Sequence, residues 1–198
     1  MKSTGKIGSV LLVVAASALG QSGAESGPSP AAAGPHFAVS AGYTFLSLPI
    51  SNVGRQNLNG VDFGGHDDLS PRWGGTVDIS YARGSEVTNT GHSSYVLSAL
   101  VGPVFYPMEW KSGRVFVHAL VGVGLVDSSV PISGGRHLAG YVVRFSDAVG
   151  GGIEHPIKGP FSVRVSADLL RTTFVSAAAV ARGQNDLRAT VSLMFRGR

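Results

Sequence analysis

From residue 36 onward, apolar residues alternate with small or polar ones over and over, and a two-residue period leaves room for little except strands. Side chains of a strand point alternately to opposite faces, so each such run defines two surfaces. The first run sets Phe37, Val39, Ala41, Tyr43 and Phe45 against Ala38, Ser40, Gly42 and Thr44. Further runs are centred on Val61–Phe63, Val77–Ile79, Leu97–Val101, Val117–Val123, Val143–Phe145, Val163–Ala167 and Ala189–Leu193, eight in all. Most approach the roughly 9–11 residues that a tilted transmembrane strand needs. Helical periodicity nowhere competes.

The two faces differ in kind. One carries Val, Leu, Ala and aromatics; the other is largely Gly, Ser and Thr with a few charges. A soluble barrel or sandwich is the competing fold, but it would expose the polar face and furnish it with Lys and Glu. Here only 14% of residues are charged, against about a quarter in ordinary soluble domains. Small residues suit the crowded inside of a narrow barrel, and lipid takes the apolar outside. Aromatic placement points the same way. If the first strand ascends, Phe37, Trp73, Phe105, Phe161 and Phe195 fall at the lower strand ends. Phe45, Tyr81, Tyr95, Tyr141 and Phe174 fall at the upper ends. Two aromatic levels match the two interfaces of a bilayer.

The beginning of the chain reads as export machinery. Lys2 and Lys6 precede a mostly apolar stretch, Ile7 to Leu19, and small residues follow through Ala24. That run is short for a membrane-spanning helix and fits a secretory signal peptide, cleaved after Gly20 or Ala24, with an uncleaved anchor as the alternative. The expected organisation is a signal peptide over 1–24, a Ser-, Gly-, Pro- and Ala-rich linker over 25–35, and an all-β, eight-stranded antiparallel up-and-down transmembrane barrel over 36–198. Zero Cys excludes a disulfide framework and thiolate metal sites. Lys and Arg are scattered, which gives nucleic-acid binding no support.

Closure supplies the physical reason for a barrel. Hydrocarbon offers no partner to a backbone N–H or C=O, so strands cross a bilayer only when every edge is paired. An even number of strands leaves both ends of the barrel on the periplasmic side. Lower connections are then expected at Ser70-Pro71, Pro107 to Gly113 and His155 to Pro160. Somewhat longer outer loops are expected at Ser47 to Gln56, Arg83 to Ser93, Asp127 to His137 and Ser176 to Asn185. Asp147 falls on the lipid face of the sixth strand, and Asp67 near the lower end of the second. Both interrupt the pattern.

With its opening Phe37-Ala-Val-Ser-Ala-Gly-Tyr43, its alternating runs and its closing Leu187-Arg-Ala-Thr-Val-Ser-Leu-Met-Phe195, the chain resembles the small outer-membrane β-barrel domain family, which includes the membrane domain of outer-membrane protein A. The resemblance implies an integral barrel of the cell outer membrane, surrounded by outer-membrane lipid. It also implies periplasmic chaperones and the barrel insertion machinery as partners during assembly, with Phe195 as the terminal aromatic of the assembly signal.

Alternation points Asp62, Asp78, His118, Arg144, Arg164, Asp168 and Arg188 inward. An interior charge is tolerated only when paired, so a lumen network of ion pairs and hydrogen bonds is the expected role. An eight-stranded barrel encloses little beyond its own side chains, which argues against a solute path. Catalytic, cofactor and metal sites are not expected. His66-Asp67-Asp68 sits beside a turn and reads as a solvated polar cluster. A nucleophile and base built from His118 with Ser98 or Asp78 has no motif behind it. Gly150-Gly151-Gly152 continues a strand and reads as a kink or close backbone approach. Arg171 reads as a rim charge reaching lipid phosphates or water. The expected function is non-enzymatic: a structural, adhesive or surface-recognition barrel with an unknown extracellular ligand. A lipid- or lipopolysaccharide-modifying barrel enzyme, a narrow ion channel and a soluble ligand-binding barrel are the alternatives.

Overall fold

In the computed structural model, residues 37–50, 54–84, 93–132, 136–175 and 181–197 are described. The expected signal peptide and linker lie outside them. Eight strands follow one another: β1 (Phe37–Ile50), β2 (Gly54–Asp68), β3 (Trp73–Gly84), β4 (Ser94–Trp110), β5 (Gly113–Ile132), β6 (Arg136–Lys158), β7 (Phe161–Val175) and β8 (Ala181–Arg196). Each pairs antiparallel with its sequence neighbours. β8 returns to β1 from Ala38↔Arg196 to Ser47↔Leu187, which closes the sheet into a barrel. No helix long and apolar enough to cross a membrane occurs among the described residues.

The alternation read from the sequence is the alternation of the wall. Val39, Val77, Val121, Val191 and Leu193 are exposed on the outside. Ser40, Thr76, Ser98, Thr190 and Ser192 are buried inside. Closure leaves no free edge, as hydrocarbon demands.

Several ladders outlast the alternation, so segments that read as connections are partly strand. β1 and β2 pair up to Ile50↔Gly54. β5 and β6 pair up to Ile132↔Arg136, making them the longest strands at 20 and 23 residues. At the lower end, β4 runs on to Trp110 and β6 to Lys158. Backbone pairing continues wherever partners remain, whether or not the outward side chains keep their apolar alternation.

Proline marks the irregularities. The β4–β5 register shifts between Phe105 and Met108, around Pro107, and the β6–β7 register shifts between Pro156 and Lys158. A residue without an N–H cannot donate to the ladder, so pairing slips there. The β6–β7 turn is completed by Gly159 at φ 61°, a left-handed conformation that favours glycine. The expected Ser70-Pro71 turn is tied by Ser70, whose N–H donates to the Trp73 carbonyl at 2.9 Å and whose Oγ accepts from Trp73 N at 3.0 Å.

Aromatic rings gather near the strand ends. Trp73 and Phe105 face each other across β3–β4 with ring centroids 4.8 Å apart, and Phe161 and Phe195 across β7–β8 at 5.4 Å. Phe37 is exposed at the same lower end. Above, Tyr81 and Tyr95 lie 5.7 Å apart, and Phe45 is half-buried on β1. The side chains of Tyr141 and Phe174 lie outside the described residues.

Candidate functional site

The filling of the barrel comes in three levels. The lowest is a charged lattice at the mouth beside the short turns. Asp68 ends β2, Arg114 is the second residue of β5, Glu154 lies near the end of β6 and Arg196 ends β8. Asp68 Oδ2 accepts from Arg114 Nη1 and from Arg196 Nη1, each at 2.9 Å. Glu154 Oε2 accepts from Arg114 Nη2 at 3.2 Å, and Glu154 Oε1 accepts from Arg196 Nη2. Tyr106 donates its hydroxyl to Asp68 Oδ1 at 2.9 Å. Arg114 stacks over the Tyr106 ring at 3.8 Å, and Arg164 over the Phe116 ring at 3.5 Å. Arg164 reaches Glu154 Oε2 at 3.7 Å as an ion pair. Each carboxylate is shared between guanidinium groups from different strands, so the lattice ties strand ends together around the ring.

The middle level is centred on Arg188 of β8, which is 1% exposed. Its Nη1 donates to Asp78 Oδ1 at 2.6 Å, and its Nε to Asp168 Oδ2 at 3.0 Å. His118 Nε2 donates to the other Asp168 oxygen at 2.7 Å. Beside them, His66 is held from both sides, its Nε2 3.0 Å from Ser40 Oγ and its Nδ1 2.7 Å from Thr76 Oγ1. Asp62 is buried here too, and its Oδ2 has no hydrogen-bond partner. A cavity of about 20 Å³ lies among Asp62, His66, Asp78, His118 and Ser166. That volume suits a water molecule or two and nothing larger.

The upper level is mainly apolar, with a buried polar pair in which Thr172 donates to Asp186 at 2.6 Å. Leu46, Leu48, Leu58, Val96, Leu100, Leu120, Val126 and Leu170 pack together inside the barrel with Ala82 and Ala148. The inward face is therefore not uniformly small and polar, as its composition suggests. Ser98, between Val96 and Leu100 on β4, shares a hydrogen bond of 2.7 Å with Ser80, and Thr44 and Thr190 share one of 3.2 Å.

Of the seven inward charges read from the sequence, the structure brings Asp78, His118, Asp168 and Arg188 into one cluster with Asp62 beside it, and places Arg164 in the lower lattice. Arg144 does not join them. It is exposed, and its Nη1 donates to the neighbouring Val143 carbonyl at 3.2 Å. Its parity is inward, but it lies above the part of the lumen that the network occupies. His66-Asp67-Asp68 is split by alternation: His66 and Asp68 turn inward to different levels, and Asp67 is exposed on the outside.

Asp68, Arg114, Glu154 and Arg196 went unread as network members. Asp68, Arg114 and Arg196 continue the inward parity of their strands by two residues and Glu154 by six, and extending the alternation to the true ends of the ladders would have found them. His118 pairs with neither Ser98 nor Asp78: Ser98 bonds Ser80, while His118 bonds Asp168. No group of three or more His, Asp or Glu placed to hold a metal occurs among the described residues. The triple glycine allows close approach. A Cβ on Gly150 would meet the Asp168 carboxylate and the Ala167 carbonyl, and one on Gly152 the Val165 carbonyl at 1.8 Å.

No family model and no curated protein matches the chain. Solved structures do. Neisserial surface protein A is similar over 81% of this chain and 97% of its own, with TM-score 0.63 and 10% identity. Ail, the attachment invasion locus protein of Yersinia pestis, is similar over 82% of this chain and 99% of its own, with TM-score 0.60 and 16% identity. A structure of Ail in complex with the heparin analogue sucrose octasulfate gives TM-score 0.57 at 14% identity over the same shares. The chain thus carries the fold of the small eight-stranded outer-membrane β-barrels.

Proposed function

We propose that this chain is an integral outer-membrane protein, exported by a cleaved signal peptide, whose closed barrel is a rigid non-enzymatic scaffold for envelope structure, adhesion or surface recognition. The observation that carries the reading is the crowded lumen: an ion-pair lattice, a buried Arg188 cluster and an apolar cluster occupy it, and the cavity among Asp62, His66, Asp78 and His118 measures only about 20 Å³. A lumen so crowded with side chains argues against a solute path, and loops on a rigid wall are where binding normally resides. The apolar outer face supports lipid as its surroundings. Sharing a fold with an attachment protein agrees with a recognition role. Outer-membrane lipid, and during assembly the periplasmic chaperones and barrel insertion machinery, are the partners this reading requires.

Envelope fractionation followed by gel mobility with and without heating tests the location. The protein should enter the outer-membrane fraction and migrate faster unheated. Recovery as a water-soluble monomer would overturn the proposal. Planar-bilayer recording tests the closed lumen: baseline current is expected, and stable conductance steps would favour a channel. Release of fatty acid from lipopolysaccharide by the purified barrel would favour the enzyme.

A further inference from the structure

Asp147 and Arg171 each interrupt the lipid-facing wall, and the structure makes them one feature. They are direct Cα partners across the β6–β7 ladder, on the same outer face. Exposed apolar side chains surround them: Phe145 and Val149 flank Asp147 along β6, Val121 stands opposite it on β5, and Leu169 precedes Arg171 on β7. Arg171 lies ten residues above the lower aromatic Phe161 along β7. At roughly 3.3 Å per residue and a tilt of about 40°, that is a height of about 25 Å, the top of the apolar band. Among the described residues, neither side chain makes an ion pair or a hydrogen bond. Two opposite charges therefore face outward, side by side, against the upper edge of the lipid.

A phosphate of a lipid headgroup is a poor occupant for this position. Any anion drawn to Arg171 meets the Asp147 carboxylate, whose Cα stands only about 5 Å away across the ladder. A second copy of the chain uses both charges. Copies inserted by the same route share one orientation, so a two-fold axis between them must run along the membrane normal. Rotation about that axis keeps height and exchanges left for right, and it sets a side-by-side pair of opposite charges against its own inverse. Partners separated by about 5 Å on strands tilted by about 40° differ in height by about 3 Å, within the reach of an arginine. Lower on the same face, Gly151 pairs with Ala167, and Ala167 with Ala189. Side chains this small let a second wall approach.

We infer that the β6–β7 wall is a self-association surface, on which Asp147 of each copy pairs with the partner's Arg171 and Arg171 with the partner's Asp147. The inference rests on the wall facing lipid, and the experiment separates the two. Full chains carrying Asp147→Arg or Arg171→Asp are labelled with different fluorophores and reconstituted in phosphatidylcholine vesicles free of lipopolysaccharide. Heat-modifiable mobility first establishes that each variant is inserted and folded, so a failure of the membrane reading shows at that stage. Wild-type chains should transfer energy between copies. Each variant alone carries like charges on this face and should not. Mixed together, the two variants should associate at least ten-fold more than either does alone, since one face is then doubly positive and the other doubly negative. A pair satisfied within one chain cannot produce this pattern. Absence of transfer in wild type and mixture alike would overturn the inference, as would association indifferent to the substitutions. Association that appears only after lipopolysaccharide is added, and disappears with Arg171→Asp alone, would assign Arg171 to lipid phosphate instead. Should the charge reversals fail to insert, Asp147→Asn and Arg171→Gln serve in their place: loss of self-association in both supports the inference, and its persistence refutes it.

Discussion

The upper and lower halves of the lumen solve one problem by opposite means. Both fill a narrow cylinder, yet the upper half is closed mainly by leucines and valines and the lower half mainly by carboxylates and by guanidinium groups stacked on Tyr106 and Phe116. Apolar packing is non-directional and tolerates exchange among side chains of similar volume. A buried charge lattice is directional, and each member is needed because its partners cannot stand alone. In the lower lattice, Asp68 and Glu154 each bind Arg114 and Arg196. Removing a group there touches several strand ends at once, at a cost set by how buried that group is, whereas removing a leucine above leaves a local hole. The upper half therefore supplies bulk, and the lower half fixes which strand ends meet.

The contrast can be broken most sharply at Arg188. Arg188→Ala leaves Asp78 and Asp168 buried without their guanidinium, and it should cost about 4 kcal/mol of stability, read from denaturant unfolding in lipid vesicles. A loss below about 1 kcal/mol would mean that water reaches the middle level freely. Next comes Leu120→Ala in the apolar plug, where transfer and cavity terms together predict about 3 kcal/mol with no new pH dependence. At the lower mouth the effect should shrink. The Arg196 side chain is 31% exposed, and solvent screening brings the expected cost of Arg196→Ala to about 1 kcal/mol, falling further in high salt. The smallest change is the most telling: replacing Asp78 and Asp168 by Asn together with Arg188→Leu should return stability to within about 1 kcal/mol of the parent, because the penalty belongs to unpaired charge rather than to lost attraction. If this triple variant is as unstable as Arg188→Ala, the middle level is held by geometry that only the ionic groups provide.

The two halves were unequally legible. Parity is local, so the inward positions of Asp62, Asp78, Asp168 and Arg188 follow from the strand pattern alone. Depth is not local. Arg144 has the right parity, but it stands above the network. The lower lattice escaped notice because its members occupy the last residues of their strands, beside the turns, where the ladder still runs. The apolar plug escaped for another reason. Leu58 and Leu120 are inward by parity, but an inward leucine among glycines and serines gives no sign of what it will touch.

The amino-acid sequence alone determines how many strands there are, which face of each is apolar and that the ring must close, since these follow from a two-residue backbone period and from hydrocarbon's inability to satisfy a free edge. Only the tertiary structure decides the partners across the lumen. Arg188 and Asp78 are 110 residues apart and lie on strands that are not neighbours, yet they meet at 2.6 Å. That meeting depends on the registers of all the ladders at once, and a register shift anywhere around the ring would bring a different pair together.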